Sequence, residues 1–220
     1  MKYLKQAWLV LLLAIAFGAA LAGVQVTWGP KIDANREQKA RMQIPGILAG
    51  RPDLSAAEAA DALENLLIRK LKLSVATPGG GETTYEVYAV SRKGAGGEAG
   101  WVVKAKGSGY ADVIQLLVGL SPDGRKITGM AVLANNETPG LGNKIANAPF
   151  EEQFAGLNAE TPVTVTKEKP PAGANGVQAI SGATISSEAV SEIVNKAVEA
   201  VRAGLPALRK QLSEVNADGE

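Results

Sequence analysis

The apolar positions of this chain form one long uninterrupted run near the N-terminus, followed by segments with strand-like and helix-like spacing. The run from Ala7 to Trp28 contains no charged side chain. It is long enough to cross the ~30 Å hydrocarbon core of a membrane as one helix, and Trp8 and Trp28 stand near its ends, where interfacial aromatic residues are favoured. We therefore predict an N-terminal tail at 1–6 and a transmembrane anchor at 7–28.

Two other interpretations of this run are open. Ala20-Leu21-Ala22 could be the cleavage site of a signal peptide whose basic part holds Lys2 and Lys5. The apolar run continues past that site to Trp28, which favours a retained anchor. A buried core helix is disfavoured, because the run lacks polar positions at helical spacing.

The segment after the anchor, 29–52, is expected to be a stalk. Its part from Asp33 to Gln43 is charged and compatible with a helix, and Pro45-Gly46 is expected to end that helix. Ser55 and Glu58 then form a capping-box pattern, which predicts a second helix that continues to about Lys70.

Short segments rich in β-branched and aromatic residues indicate an antiparallel sheet in the middle of the chain. Pro122-Asp123-Gly124 is a strong hairpin-turn signal between two of these segments. The predicted strands are 85–90, 101–106, 112–120 and 126–133, and the predicted loops are 78–81, 91–100 and 167–176.

Helices dominate the pattern after the strands. Phe150 and Phe154 suggest a short helix, and apolar residues recur at three- and four-residue intervals from Ala189 to Val201, which predicts a long one. Strands followed by helices predict one α+β domain at 53–205, in which helices pack on an antiparallel sheet, with a polar tail at 206–220.

The hydroxyl-rich turn from Ser181 to Ser187 runs directly into the long helix. Thr184 is therefore expected at the helix N-terminus, where backbone N–H groups lack partners and the helix dipole favours a phosphate. A Ser or Thr that simply caps the helix is the commoner arrangement. The local pattern alone favours the cap.

The same turn resembles a known motif. Ser181-Gly182-Ala183-Thr184-Ile185-Ser186 is similar to the flavinylation motif of the FMN-binding domain family. The resemblance implies that the Thr184 hydroxyl is joined to the FMN phosphate by a separate flavin transferase that uses FAD. The family usually has Asp where this chain has Gln178.

A second segment, 137–142, resembles the signature of the G subunit of Rnf electron-transport complexes and of the related C subunit of sodium-translocating NADH:quinone reductase. The similarity extends from about Trp101 to Gly204 and includes the glycine-tyrosine turn that ends at Tyr110. It implies that the isoalloxazine ring lies near this segment. The residues concerned are Glu137, Thr138, Pro139, Gly140, Leu141 and Gly142.

Composition restricts the chemistry. The chain has neither Cys nor His, which removes thiolate iron-sulfur ligation, ordinary haem ligation and the usual zinc sites. We expect no metal site and no catalytic residue. With 23 Lys and Arg against 22 Asp and Glu, and no basic stripe, nucleic acid is not expected as a partner.

The resemblance implies an electron carrier with FMN as cofactor, a phosphoester-modified subunit of an ion-translocating oxidoreductase that is not catalytic alone. Its expected partners are the other membrane subunits of an Rnf-type complex. Its expected place is a bacterial or archaeal cytoplasmic membrane, with the flavin domain on the extracytoplasmic side. The alternatives are the quinone-reductase protein, another flavinylated carrier, or a membrane-anchored binding domain without cofactor.

Overall fold

The computed structural model describes residues 2–76, 81–94 and 97–217. The chain forms two units, Met1–Arg41 and Met42–Glu220. The helices are α1 (Lys2–Ala49), α2 (Ala56–Glu64), α3 (Ala148–Glu151) and α4 (Thr184–Ala217). The strands are β1 (Leu66–Ala76), β2 (Glu82–Arg92), β3 (Glu98–Ser108), β4 (Val113–Leu120), β5 (Ile127–Ala134), β6 (Thr164–Thr166) and β7 (Gly176–Gln178).

Among the described residues, α1 is the one helix that is long and apolar enough to cross a membrane, judged by length and composition. The predicted break at Pro45-Gly46 is wrong, because α1 continues to Ala49. Ile47 is fully buried in the second unit, and such packing outweighs a local helix breaker. The helix ends with Gly50 at φ 67° and a bond from Arg51 N to Gly46 O, which is the Schellman pattern.

Helix α2 begins where the sequence predicts. Ser55 Oγ accepts from Glu58 N at 3.3 Å, and Ser55 N donates to Glu58 Oε2 at 3.0 Å, so the capping box is confirmed. The predicted continuation to Lys70 is wrong, because β1 begins at Leu66. Alternate residues of β1 enter the core, and pairing with β2 stabilises the strand.

The α+β fold is confirmed by a five-stranded antiparallel sheet in the order β1-β2-β3-β4-β5. The predicted loop at 91–100 is shorter than expected, because β2 reaches Arg92 and β3 begins at Glu98. Most of the predicted loop at 78–81 lies outside the described residues.

One face of the sheet packs against α4 and forms the core. The α4 stripe of Val190, Val194, Ala197 and Val201 is buried with sheet residues such as Leu73. The approach is close at Gly204, where a β-carbon would collide with the Leu73 side chain. This packing fixes α4 along the sheet and so fixes the place of its first residue.

The segment between β5 and α4 covers one end of this core. Phe150 and Phe154 pack edge to face with ring centroids 5.6 Å apart, in α3 and the 3-10 turn after it, as the sequence predicts. Strands β6 and β7 form a small parallel pair. Helix α4 continues past Pro206, and Leu208 in this continuation is buried in the core.

On the sheet face opposite α4, Gly129 should not tolerate a side chain. A β-carbon there would lie 2.7 Å from Ile47 O. We expect Gly129→Ala to lower the free energy of unfolding by about 1 to 3 kcal/mol, because neither backbone can move without loss of packing. Denaturant titration of the full chain in detergent measures it. Gly97→Ala is the control, since a β-carbon at Gly97 meets open space. Equal denaturant midpoints for the two variants would contradict the prediction.

A fall in pH should lower the free energy of unfolding, because Glu86 on the same sheet face loses its charge. Lys70 Nζ and Lys104 Nζ lie 2.9 Å and 3.2 Å from its carboxylate oxygens. Partial burial by itself raises the pKa of Glu86, but bonds to the two lysines outweigh it and hold the pKa below the ordinary value of 4.5. Glu86 therefore stabilises the fold above that value, and the stabilisation is lost as the pH falls through the lower folded-state pKa.

Glu86→Gln should therefore flatten the acid side of the stability curve. Denaturant titrations between about pH 3 and pH 7 measure the slope. Glu82→Gln removes an exposed carboxylate from the same strand and should keep the wild-type slope. The prediction fails when Glu86→Gln follows the wild-type curve.

Candidate functional site

A cavity of about 490 Å³ lies where the glycine-tyrosine turn, the 137–142 loop and the start of α4 meet. Its volume is within the range of small-molecule and cofactor sites. Segments that are far apart in sequence thus form one site. The residues that border it are Tyr110, Thr138, Leu141, Gly142, Gly182, Ala183, Thr184, Ile185 and Ser186.

The structure brings most of the sequence-predicted residues to this cavity, and the others lie beside it. Ser181 is an exposed residue of the turn that leads into α4. Pro139 and Gly140 belong to the outer part of the loop, where Gly140 has a φ of 79°. Glu137 is buried and does not border the cavity, but it accepts a hydrogen bond from Ser186, which does.

The turn that leads into α4 is held without help from Thr184, the first residue of the helix. Ser187 Oγ accepts from Ile180 N at 3.1 Å and donates to Ala183 O at 2.9 Å. Thr184 Oγ1 makes no hydrogen bond to any described residue. The simple capping role that the local pattern favours is therefore not filled by Thr184, whose hydroxyl has no hydrogen-bond partner among the described residues and borders the cavity.

The backbone at this helix start is open to an anion. The first N–H group of the helix that has a hydrogen-bond partner is that of Ser187, which donates to Ala183 O at 3.0 Å. The N–H groups of Thr184, Ile185 and Ser186 donate to no residue in the described part of the chain. Together with the positive end of the helix dipole, they form a seat for a phosphate.

The loop beside the helix start is held in a tight conformation by its own hydrogen bonds. Thr138 O accepts from Leu141 N at 3.2 Å and from Asn143 N at 3.3 Å. Asn143 Oδ1 accepts from Gly140 N at 2.8 Å. The loop is therefore tight, and Asn143 contributes a side-chain bond that closes it.

The loop and the helix start touch at two glycines. Gly182 has a φ of 79°, and a β-carbon there would lie 3.1 Å from Leu141 Cδ2. At Gly142 a β-carbon would lie 2.8 Å from Ser186 Oγ. Larger residues would separate the two walls, so these glycines keep the cavity narrow.

Apolar side chains form the rim of the cavity. Tyr110, Leu141 and Ile185 are 64%, 43% and 56% exposed. They offer flat apolar surface to an aromatic ring, while the helix start offers donors to a phosphate. The site therefore fits a planar aromatic group that carries a phosphate.

Sequence reasoning did not assign Tyr110 or Ser186 to the site. Both belong to segments that carry the resemblance, the glycine-tyrosine turn and the last position of the Ser-Gly-Ala-Thr-x-Ser motif. The motifs themselves therefore contained the information that points to these two residues. What the sequence could not show is that these segments meet at one cavity.

Gln178, the departure from the family pattern, lies at the end of β7 rather than in the cavity wall. Its N–H donates to Gln153 Oε1 at 2.6 Å, and its carbonyl accepts from Gln153 Nε2 at 3.3 Å. Its side-chain amide donates to Lys167 O at 3.2 Å. These bonds fix the strand that leads into the Thr184 turn.

Comparison with known families and curated proteins shows what this chain is similar to. Residues 109–199 match the family described as the FMN-binding domain. The chain is 42% identical over 119 residues to the G subunit of the Na(+)-translocating ferredoxin:NAD(+) oxidoreductase complex of Acetobacterium woodii, covering 54% of this chain and 56% of that protein. It is 33% identical over 95 residues to the C subunit of the Na(+)-translocating NADH-quinone reductase of Vibrio anguillarum, covering 40% and 37%.

Solved structures show the same fold. The NqrC structure from Shewanella oneidensis superposes with a TM-score of 0.62 at 17% identity, over 79% of this chain and 99% of that chain. The corresponding NADH-quinone reductase protein from Parabacteroides distasonis gives 0.56 at 21% identity, over 79% and 94%. The chain spans about half the length of the Acetobacterium relative it matches. The predicted resemblance is confirmed: residues 109–199 match the FMN-binding domain family, and FMN is the cofactor of this domain.

Proposed function

We propose that this protein is a membrane-anchored electron-relay subunit of an ion-translocating complex, with FMN joined covalently to Thr184. The observation that carries the proposal is the Thr184 hydroxyl, which has no hydrogen-bond partner among the described residues and borders the cavity. Beside it are the open N–H groups of Ile185 and Ser186. A nucleophilic oxygen next to a phosphate seat is what attachment through a phosphoester requires.

The attachment itself is a phosphoryl-group transfer from FAD. A bond forms between Thr184 Oγ1 and the phosphorus on the FMN side, and the phosphoanhydride bond of FAD breaks. AMP and the hydroxyl proton leave. The described residues that border the cavity include no carboxylate or amine to accept this proton, so we assign the reaction to a separate flavin transferase, as the resemblance implies.

Once attached, FMN supplies one-electron redox chemistry. The chain's own residues would hold and orient it: the first turn of α4 would receive the phosphate, and Leu141, Ile185 and Tyr110, which border the cavity, would support the ring. The phosphoester keeps a negative charge, which the helix start stabilises by about 0.3 to 1 kcal/mol in a partly exposed setting. These are the groups of a carrier site, built from amides, hydroxyls and apolar surface.

The partners follow from the relatives. The Acetobacterium protein is named as the G subunit of a complex, and a Methanosarcina acetivorans relative, 44% identical over 108 residues, is named as the G subunit of an ion-translocating oxidoreductase complex. We assign this chain to such an Rnf-type complex, anchored by 7–28 with its flavin domain outside the cytoplasm. The C subunit of the quinone reductase is the second candidate, supported by the 33% identity with the Vibrio anguillarum protein. The genes encoded beside this one distinguish the two.

Thr184→Val should abolish covalent flavin, because valine keeps the shape of threonine and removes the oxygen. In-gel flavin fluorescence and mass spectrometry of the membrane-purified protein, co-expressed with a flavin transferase, measure it. Thr184→Ser retains the hydroxyl and should retain modification. Thr83→Val, at an exposed position of β2, controls for the substitution itself. Covalent flavin in Thr184→Val would place the attachment elsewhere.

The orientation is testable because the chain has no cysteine. Lys169→Cys places a thiol in the exposed loop between β6 and β7. A membrane-impermeant maleimide should label it in intact cells, while Lys5→Cys, before the anchor, should be labelled only after lysis. The reverse pattern would show that the flavin domain faces the cytoplasm.

A further inference from the structure

Glu137 is a buried carboxylate at the junction of all three segments that form the cavity. It is 4% exposed, although carboxylates are rarely buried without partners. Its Oε1 accepts from Ala111 N at 3.0 Å and from Asp112 N at 3.4 Å, and its Oε2 accepts from Ser186 Oγ at 2.5 Å. One side chain thus joins the glycine-tyrosine turn and the first turn of α4 to the 137–142 loop.

Two glycines make room for this carboxylate. A β-carbon at Gly109 would collide with Glu137 Oε1. A β-carbon at Gly142 would lie 2.9 Å from Glu137 Oε2 and 2.8 Å from Ser186 Oγ. Glu137 and the atoms packed around it therefore leave no room for a β-carbon at either glycine.

We propose that Glu137 is a positioning residue for Thr184 and acts through Ser186. The proposal rests on the attachment of FMN at Thr184. Successive helical residues are about 100° apart around the axis, so a fixed Ser186 sets the rotation of the first turn and with it the direction of Thr184 Oγ1. The Glu137 carboxylate itself does not border the cavity and touches the cofactor site only through its hydrogen bonds.

The direction of Thr184 Oγ1 depends on the hydrogen bond that Ser186 donates to Glu137. Bonds to a charged acceptor are among the strong ones, and their loss leaves a buried oxygen without a donor. Without the bond, α4 stays on the sheet through its apolar stripe, but its first turn loses the contact that sets its rotation. Misplacement of a reacting atom lowers the reaction rate far more than it lowers stability.

Glu151 offers a matched control. It is the other buried glutamate among the described residues, at 7% exposure, and its Oε1 accepts from Val132 N at 2.7 Å on the edge strand β5. It does not border the cavity. Glu151→Gln therefore reproduces the loss of a buried carboxylate without touching Ser186 or Thr184.

The experiment measures the rate at which a purified flavin transferase with FAD modifies the full chain in detergent. Glu137→Gln and Ser186→Ala should each slow modification by about tenfold or more, and the double variant should be no slower than the singles. Glu151→Gln should stay within about twofold of wild type. Melting temperatures of the unmodified proteins show whether a variant has lost its fold, and visible circular dichroism of modified protein reports the ring's orientation.

The outcomes separate the two proposals. Wild type that gains no flavin, or gains it in Thr184→Val, overturns the attachment site. Normal modification of wild type with Glu137→Gln as fast as Glu151→Gln overturns the positioning role alone. Independent, multiplying effects of Glu137→Gln and Ser186→Ala also overturn it, because the role requires both residues to act through one bond. A slow Glu137→Gln with wild-type melting and altered flavin dichroism supports it.

Discussion

The packing of α4 against the sheet is the constraint on which the site depends. The buried stripe from Val190 to Val201 fixes the helix along β1 and β3. Its N-terminus is thereby brought beside a loop more than forty residues earlier in the chain, as the bond between Ser186 and Glu137 shows. Core packing thus sets the position of α4 as a whole, and the buried bond between Ser186 and Glu137 sets the position of its first turn.

The hydroxyls at the helix start have separate tasks. Ser187 holds the preceding turn through Ile180 and Ala183, Ser186 binds Glu137, and Thr184 borders the cavity. A helix start that relied on Thr184 for capping would lose its cap whenever that oxygen was esterified. Because Ser187 holds Ile180 and Ala183, the proposed modification at Thr184 would leave the hydrogen bonds of the turn intact.

Local signals predicted much of the fold and of the site. The capping box at Ser55, the turn at Asp123 and the motif around Thr184 each depend on neighbouring residues, and each lies where expected. The sequence misled where distant contacts decide. Leu63, Leu66 and Leu67 have helical spacing, yet pairing with β2 makes a strand from Leu66. No local pattern shows that two other segments bury Glu137.

The rim of the cavity is open, with Tyr110 and Ile185 more than half exposed. A cofactor bound by contacts alone stays in its site only if much of its surface is buried. Such a site therefore has to enclose the cofactor. A cofactor kept by one covalent bond has no such requirement, because its local concentration is set by the tether. With FMN attached at Thr184 as proposed, the walls would serve orientation instead of retention, and one edge of the ring would stay accessible to the proteins that exchange electrons with it.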